Sequence, residues 1–151
     1  MKVEHIVVAL TAIVLSSTVI AQVKPEVLVK QRQAAMTLQG KYFGPMGAMA
    51  RPENPAPFNA AVVARNAGFL DALARMPWDG FDASTKDVKS ATLPAAYSDA
   101  AKFKQAGENL QAAVGKLVAA SKGSDEAATK AAIGGVGKTC GGCHDDFRQK
   151  P

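Results

Sequence analysis

The chain has 151 residues, with 18 lysines and arginines against 13 aspartates and glutamates, which gives a formal net charge of +5 at pH 7. The basic residues are dispersed along the chain, and aromatic residues make up only 6% of it. This pattern lacks the clustered basic and aromatic side chains of nucleic-acid-binding proteins, so we expect no nucleic-acid partner.

The N-terminus has the features of a secretory signal peptide. A short, weakly basic start is followed by an apolar run from residue 6 to residue 20 and by Ala21 at the cleavage position. We predict removal of residues 1–21, which leaves one domain over residues 22–151. The alternative is an uncleaved membrane anchor, but the run is short for a spanning helix and is interrupted by Ser16-Ser17-Thr18.

The first half of the remaining chain predicts two amphipathic helices. The first covers residues 25–50, opening at Pro25, and Gly44-Pro45 predicts a kink or an interruption within it. The second covers residues 58–76, with its apolar face at Phe58, Val62, Phe69, Leu73 and Met76. A long joint over residues 77–94 follows, whose Trp78 we expect to cover a pocket or pack in the core.

The second half predicts two more helices. The third covers residues 95–121, with Phe103, Leu110 and Leu117 spaced at sevens, and the fourth runs from Ser124, as N-cap, to about Gln149. The spacing of the fourth helix predicts an inward face made of Ile133, Gly137, Cys140, His144 and Phe147. Four helices with short-to-medium joints predict an all-α fold, an antiparallel four-helix bundle.

Both cysteines lie in one five-residue stretch, Cys140-Gly141-Gly142-Cys143-His144. This is the C-x-x-C-H pattern of covalent c-type haem attachment, in which the two thiols add to the haem vinyl groups and the histidine can bind the iron. We therefore predict one covalently attached haem c near one end of the bundle core. Glycines at positions 134, 135 and 137 weaken helix propensity and could make room for the flat macrocycle.

Other uses of the stretch fit the sequence less well. A structural zinc site normally needs four Cys or His ligands, and only three are found in this segment. A thioredoxin-like C-x-x-C would accompany a βαβ pattern, which the sequence does not show. A simple disulfide would leave His144 unexplained.

These motifs resemble those of the cytochromes c′, the class II c-type cytochromes, which carry the haem motif near the C-terminus. The resemblance covers essentially the whole predicted mature chain, and its C-terminal block is the most specific part. The matching stretches are residues 24–26, Arg32-Gln33, Met36, residues 73–78, residues 97–103 and residues 136–148.

The resemblance implies roles for four residues near the iron. His144 would be the axial ligand, with Arg148 beside it, although Arg148 could equally complement the dipole of a helix C-terminus. Arg32 would meet a haem propionate, or else be an ordinary surface arginine. Met36 would crowd the distal face of the haem without binding iron, but it could instead be a sixth iron ligand or a core methionine.

The function implied by the resemblance is that of a periplasmic monohaem cytochrome, not an enzyme. Its five-coordinate high-spin iron would bind nitric oxide and carbon monoxide, with one-electron transfer to an unidentified periplasmic redox partner and a homodimer as an expected assembly. The alternative is a low-spin electron carrier with His144 and Met36 as iron ligands. A peroxidase is disfavoured because the mature chain would contain no second histidine to act as acid or base.

Overall fold

The structure is a computed structural model that describes residues 23–150. The predicted signal peptide, residues 1–21, lies outside the described residues, so its cleavage and the domain span 22–151 stay predictions. Within the described part, no helix is long and apolar enough to cross a membrane.

The predicted all-α four-helix bundle is confirmed. The four long helices are α1 (Pro25–Met49), α2 (Ala60–Leu73), α4 (Ala100–Ala120) and α5 (Glu126–Phe147), and a single helical turn, α3 (Ala95–Ser98), precedes α4. Two 3₁₀ turns, Trp78–Phe81 and Ala83–Thr85, lie in the joint between α2 and α3.

The first two helices run antiparallel. The Gln39 side chain donates to the carbonyl oxygen of Leu73 over 3.0 Å, and the Asn66 amide donates to the carbonyl oxygen of Tyr42 over 3.1 Å. Residue numbers therefore fall on α2 as they rise on α1. Both amides are buried, and these bonds spare them the cost of an unsatisfied polar group.

The last two helices form a second antiparallel pair. The hydroxyl of Thr129 donates to the carbonyl oxygen of Ala120 over 3.2 Å near the connecting turn. At the far ends of α4 and α5, the rings of Phe103 and Phe147 pack edge to face with centroids 5.1 Å apart. The four long helices thus alternate in direction, as predicted for the bundle.

An apolar core fills one half of the bundle. It is built from the C-terminal halves of α1 and α4, from α2, and from the N-terminal half of α5. Its fully buried members, each at most 2% exposed, are Met46, Val63, Ala67, Leu70, Ala74, Val114, Leu117, Ile133 and Val136. The opposite half contains the C-x-x-C-H motif and is organised around a cavity.

The predicted inward face of the second helix was partly wrong: Leu73 is buried, and Phe58 and Val62 pack half-buried against the core, but Phe69 and Met76 do not. Phe69 is 46% exposed and Met76, beyond the helix end, is 57% exposed. The buried stripe combines Leu73 with residues next to the predicted face, namely Val63, Ala67, Leu70 and the polar Asn66. The helix carries apolar residues on two neighbouring stripes, and Asn66 can face inward because Tyr42 accepts its hydrogen bond.

Several predicted boundaries also moved. α1 continues through Pro45 to Met49, so the helix is not interrupted; Pro45 lies near its end and removes only one backbone bond. The third predicted helix is split at Asp99, whose carboxylate caps α4 by accepting from the Lys102 N–H over 3.2 Å. The N-cap of α5 is Asp125 rather than Ser124.

Candidate functional site

A cavity of about 710 Å³ occupies the half of the bundle opposite the apolar core. This volume is in the range of sites that bind a large organic cofactor. Its walls come from α1, the joint between α2 and α3, the N-terminal half of α4 and the C-terminal half of α5, and α2 contributes Leu70. The lining includes all six predicted site residues, namely Arg32, Met36, Cys140, Cys143, His144 and Arg148.

The α5 wall carries the two thiols and the imidazole. Cys140 and Cys143 are half-buried on the helix, and His144 follows directly at the cavity surface. Burial raises the pKa of both thiols, and the neighbouring Cys140 and Asp146 raise that of Cys143 further. The thiols are therefore protonated at neutral pH.

The surroundings of His144 favour the neutral form of its imidazole at neutral pH. Partial burial is the main cause that lowers its pKa, the positive charge of Arg148 lowers it further, and Asp145 acts in the opposite direction. A neutral imidazole has a free nitrogen lone pair, which is what a metal ligand requires. Arg148 is thus electrostatically coupled to His144 and lines the same cavity.

Arg148 also ends the helix. It is the C-cap residue of α5, its N–H donates to the carbonyl oxygen of His144 over 3.1 Å, and its backbone pairs with Thr92 in an isolated antiparallel bridge. Both interpretations given for this residue, a neighbour of the histidine and a cation at a helix C-terminus, therefore agree with its position.

Arg32 is buried, with only 3% of its surface exposed, so the alternative of a solvated surface arginine is wrong. Its Nη2 donates to the hydroxyls of Ser90 and Thr92 over 3.0 and 3.1 Å, and all three residues line the cavity. The guanidinium also lies 4.4 Å from the centre of the Phe81 ring. The reason for its burial is the joint, which folds over it.

The buried guanidinium lacks an acidic partner among residues 23–150. The ion pairs of the described chain join other residues, and all of them lie at the surface. A buried charge is normally paired, because the uncompensated charge is costly to remove from water. A cation at the cavity wall, with two hydroxyls beside it, therefore fits the carboxylate of a haem propionate.

The cavity thus passes a test of fit for haem. Two neutral thiols and a neutral imidazole lie on the α5 wall, an unpaired cation lies on the α1 wall, and the volume between them suits a macrocycle. The expectation that glycines make room for the macrocycle is not supported. Gly134, Gly135 and Gly137 do not line the cavity, and a Cβ on Gly137 would make only an ordinary contact of 3.4 Å with the Phe43 ring.

Met36 lies on α1 at the cavity surface, one turn after Arg32, and is half-buried. It does not belong to the apolar core, whose methionines are Met46 and Met49, so the alternative of a core methionine is wrong for this position. Two polar neighbours, Gln33 and Thr37, line the same wall, but the Thr37 hydroxyl already donates to the carbonyl oxygen of Gln33 over 2.9 Å.

Aromatic rings close the base of the cavity. Trp78, Phe81, Phe103 and Phe147 form a continuous cluster with centroids 4.6 to 6.2 Å apart. The indole N–H of Trp78 donates to the carbonyl oxygen of Ala74 over 2.7 Å. Trp78 therefore both lines the cavity and packs in the protein interior, the two roles expected of it.

Sequence reasoning missed the polar residues of the joint. Ser90 and Thr92 line the cavity beside Arg32, and Thr85 and Tyr97 bond to the same guanidinium. A signal was present, because residues 77–94 are rich in hydroxyl side chains and poor in periodic apolar ones. The sequence alone, however, does not indicate that these hydroxyls bond to an arginine 50 to 60 residues earlier in the chain.

Comparison with known proteins decides the family. The sequence matches the family model described as Cytochrome C′ over residues 27–148. It is 43% identical over 128 residues to cytochrome c′ of Rubrivivax gelatinosus, covering 84% of this chain and 98% of that protein. The chain belongs to the cytochrome c′ family.

Solved structures agree with this assignment. The cytochrome c′ of Rubrivivax gelatinosus matches with a TM-score of 0.77 at 42% identity, over 83% of this chain and 98% of that one. That of Shewanella frigidimarina matches with a TM-score of 0.78 at 34% identity, over 83% and 97%. A nitric oxide complex of a variant of cytochrome c prime from Alcaligenes xylosoxidans matches with a TM-score of 0.77 at 38% identity, over 86% and 99%. The cofactor of a cytochrome c′ is one covalently bound haem c with its iron.

Proposed function

We propose that this cytochrome c′ is a periplasmic monohaem protein whose five-coordinate, high-spin iron binds nitric oxide and carbon monoxide. Cys140 and Cys143 would hold the haem through thioether bonds, and His144 would be the axial ligand. The observation that carries the proposal is the single cavity that brings these three side chains together with Arg32 and Met36. When bound, the haem iron supplies the site for the gas and for one-electron transfer.

The distal side supports binding of small uncharged ligands. Met36 is the side chain of the α1 wall that we place over the iron, and it would crowd the sixth position without occupying it. The nearest hydroxyl on that wall, that of Thr37, is engaged with its own helix. Nitric oxide and carbon monoxide need no hydrogen-bond donor, and related structures contain a cytochrome c prime variant with nitric oxide and another with carbon monoxide.

The same cavity supports a binding role rather than catalysis. His144 is the only histidine of residues 23–150, and as axial ligand it would not be available to transfer protons. The wall near Met36 offers no other imidazole or carboxylate to act as general acid or base. We infer that the protein is not an enzyme.

Location and partners rest on other features. The predicted signal peptide and the thioether attachment of haem together support the periplasm. A periplasmic redox partner would accept or supply the single electron. The proposed homodimer is supported by apolar side chains at the surface of α1 and α2, since Leu38 is 40% and Phe69 46% exposed.

One alternative has a specific observation in its favour. Met36 and His144 line the same cavity, so the thioether of Met36 could complete a six-coordinate, low-spin iron. Thioether ligation would raise the reduction potential and close the gas site. The protein would then be an electron carrier of the same class.

The test begins with the mass and spectra of the protein expressed with the haem-attachment machinery. The expected mass is that of the chain from Gln22 plus one haem, and the colour should resist extraction with acidified acetone. Ferric and ferrous spectra should show high-spin iron, and His144→Ala should abolish them. Colourless protein, or unchanged spectra in His144→Ala, would contradict the proposed ligation.

Met36→Ala separates the two functions. It should speed carbon monoxide binding and leave the iron high-spin, because Met36 only obstructs the sixth position. The matched control is Met76→Ala, since Met76 is 57% exposed and does not line the cavity. A near-infrared sulfur-to-iron band in the wild type that Met36→Ala alone removes would establish Met36 as a ligand and favour the electron carrier.

A further inference from the structure

We propose that Arg32 is the positioning residue that fixes the joint, residues 77–94, as one wall of the cavity. Hydrophobic packing alone does not hold this segment. It contains two short 3₁₀ turns, and its only buried residues are Pro77, Gly80 and Thr85. Its half-buried apolar side chains are Trp78, Phe81, Val88 and Leu93. Backbone hydrogen bonds of Ala91 and Leu93 to the end of α5 hold its last residues, so the path of the earlier residues depends on other bonds.

The hydrogen bonds of Arg32 divide into two groups. Nη1 donates to the carbonyl oxygen of Gly80, to the Thr85 hydroxyl over 3.0 Å and to the Tyr97 hydroxyl over 3.1 Å. None of these three acceptors lines the cavity. The Nη1 side therefore serves the segment itself, whereas the Nη2 side, with Ser90 and Thr92, faces the cavity.

The acceptors on the Nη1 side are also bonded to one another. The Thr85 hydroxyl lies 3.0 Å from the Tyr97 hydroxyl and 3.3 Å from the carbonyl oxygen of Gly80. Tyr97 belongs to α3, which follows the segment. One guanidinium thus ties the start of the joint, its second 3₁₀ turn and the helix after it to α1.

Close approach of the backbone completes the anchor. A Cβ on Gly80 would lie 2.7 Å from Cβ of Arg32 and 2.9 Å from the carbonyl oxygen of Leu28. The segment therefore touches α1 at the base of the arginine, and only glycine fits there. A planar guanidinium can bond on two sides at once, which a lysine ammonium cannot do with the same geometry.

Hydrogen–deuterium exchange of the haem-loaded protein tests this role. Arg32→Gln should accelerate exchange of the amides of residues 80–92 by about tenfold or more, because charge-assisted bonds to the segment are lost. Tyr97→Phe removes one hydroxyl on the Nη1 side, outside the cavity, and should produce a smaller acceleration in the same residues. Exchange in the central turns of α4 and α5 should not change in either variant.

The matched control is Tyr42→Phe. The Tyr42 ring packs on Phe69 with centroids 4.8 Å apart, and its hydroxyl makes no hydrogen bond to another described residue. It should leave exchange of residues 80–92 unchanged. If Arg32 serves only a propionate, Tyr97→Phe will match the wild type, and the proposal is overturned. It is also overturned if Arg32→Gln accelerates exchange equally throughout the bundle.

A second measurement, the rate of carbon monoxide association, depends on the proposed gas binding, whereas the exchange measurement does not. Loosening the wall should increase the rate of carbon monoxide association with the ferrous protein in Arg32→Gln and in Tyr97→Phe. A wild-type protein that does not bind carbon monoxide would contradict the proposed function. The exchange measurement would still decide the role of Arg32.

Discussion

The two halves of the bundle are held together by different forces. Around Met46, Leu70, Val114 and Leu117, four helices bury apolar side chains with 2% exposure or less. In the other half, residues of the same helices line a cavity of about 710 Å³. There the joint is held by the hydrogen bonds of one buried arginine, by a cluster of aromatic rings and by backbone bonds to the end of α5.

This difference suits the two halves to different tasks. Apolar burial is strong but non-directional, and it stabilises the helix bundle as a whole. Hydrogen bonds from a planar guanidinium are directional, so they can fix a wall whose position matters to a bound group. The boundary between the halves is shared, because Leu70, Leu110 and Val136 belong to the core and also line the cavity.

The largest expected effect comes from the apolar half. Leu117 is fully buried, so Leu117→Ala should lower the free energy of unfolding by about 2–5 kcal/mol through lost burial and a new cavity. Urea unfolding of the haem-loaded protein, followed by circular dichroism, measures the change. The carbon monoxide association rate should stay within about twofold of the wild type, because Leu117 does not line the cavity.

Val27→Ala is the control. Val27 is 40% exposed on α1, and its truncation should change the free energy of unfolding by less than about 1 kcal/mol. Equal losses in the two variants would show that the apolar half does not dominate stability, and the contrast between the halves would then fail.

The order of the helices could largely be predicted from the sequence, because amphipathic spacing and capping are local properties. Pro25 at the start of α1 and the four long helices agree with that reading. The face of α2 was misjudged because the apolar residues of a helix define two adjacent stripes. Only the partner helices decide that Leu70 is buried and Phe69 exposed.

The candidate site divides in the same way. Cys140, Cys143 and His144 form a contiguous motif, and their shared position on the cavity wall follows from one helix. The surroundings of Arg32 could not be predicted, because its partners lie 48 to 65 residues away in a segment without periodicity. A burial pattern that depends on such distant polar bonds has no local signature.

The second-largest expected loss of stability comes from disturbing the contact between the joint and α1. Gly80→Ala should lower the free energy of unfolding by about 1–3 kcal/mol, since its Cβ would meet the backbone of Leu28 and force the segment to move. Thermal unfolding and carbon monoxide association should both change, because the displaced segment is a wall of the cavity.

A second glycine provides a control in which the change in the free energy of unfolding should have the opposite sign. Gly115 lies within α4, and a Cβ there would have no heavy atom within 4 Å. Gly115→Ala should therefore raise the free energy of unfolding by about 0.5–1 kcal/mol through better helix propensity. If Gly80→Ala were also stabilising, the joint would not be closely packed against α1.

The smallest expected effect is a pH dependence of the stability that the joint contributes. The hydroxyl of Ser84, and then its backbone N–H, lower the pKa of the Asp82 carboxyl below the ordinary value of 3.8. The folded protein thus binds this proton less readily than the unfolded chain. The stabilising contribution of Asp82 is therefore complete above the unfolded pKa and is lost as the pH falls through the folded one. The difference in Tm between the wild type and Asp82→Asn should shrink as the pH is lowered from about 5 to about 2. The control is Asp87→Asn, which removes only an exposed ion pair with Lys86 at 3.9 Å. Its difference in Tm from the wild type should change less over the same pH range. If the difference in Tm for Asp82→Asn stayed constant with pH, the hydrogen bonds from Ser84 would not be lowering the pKa of Asp82.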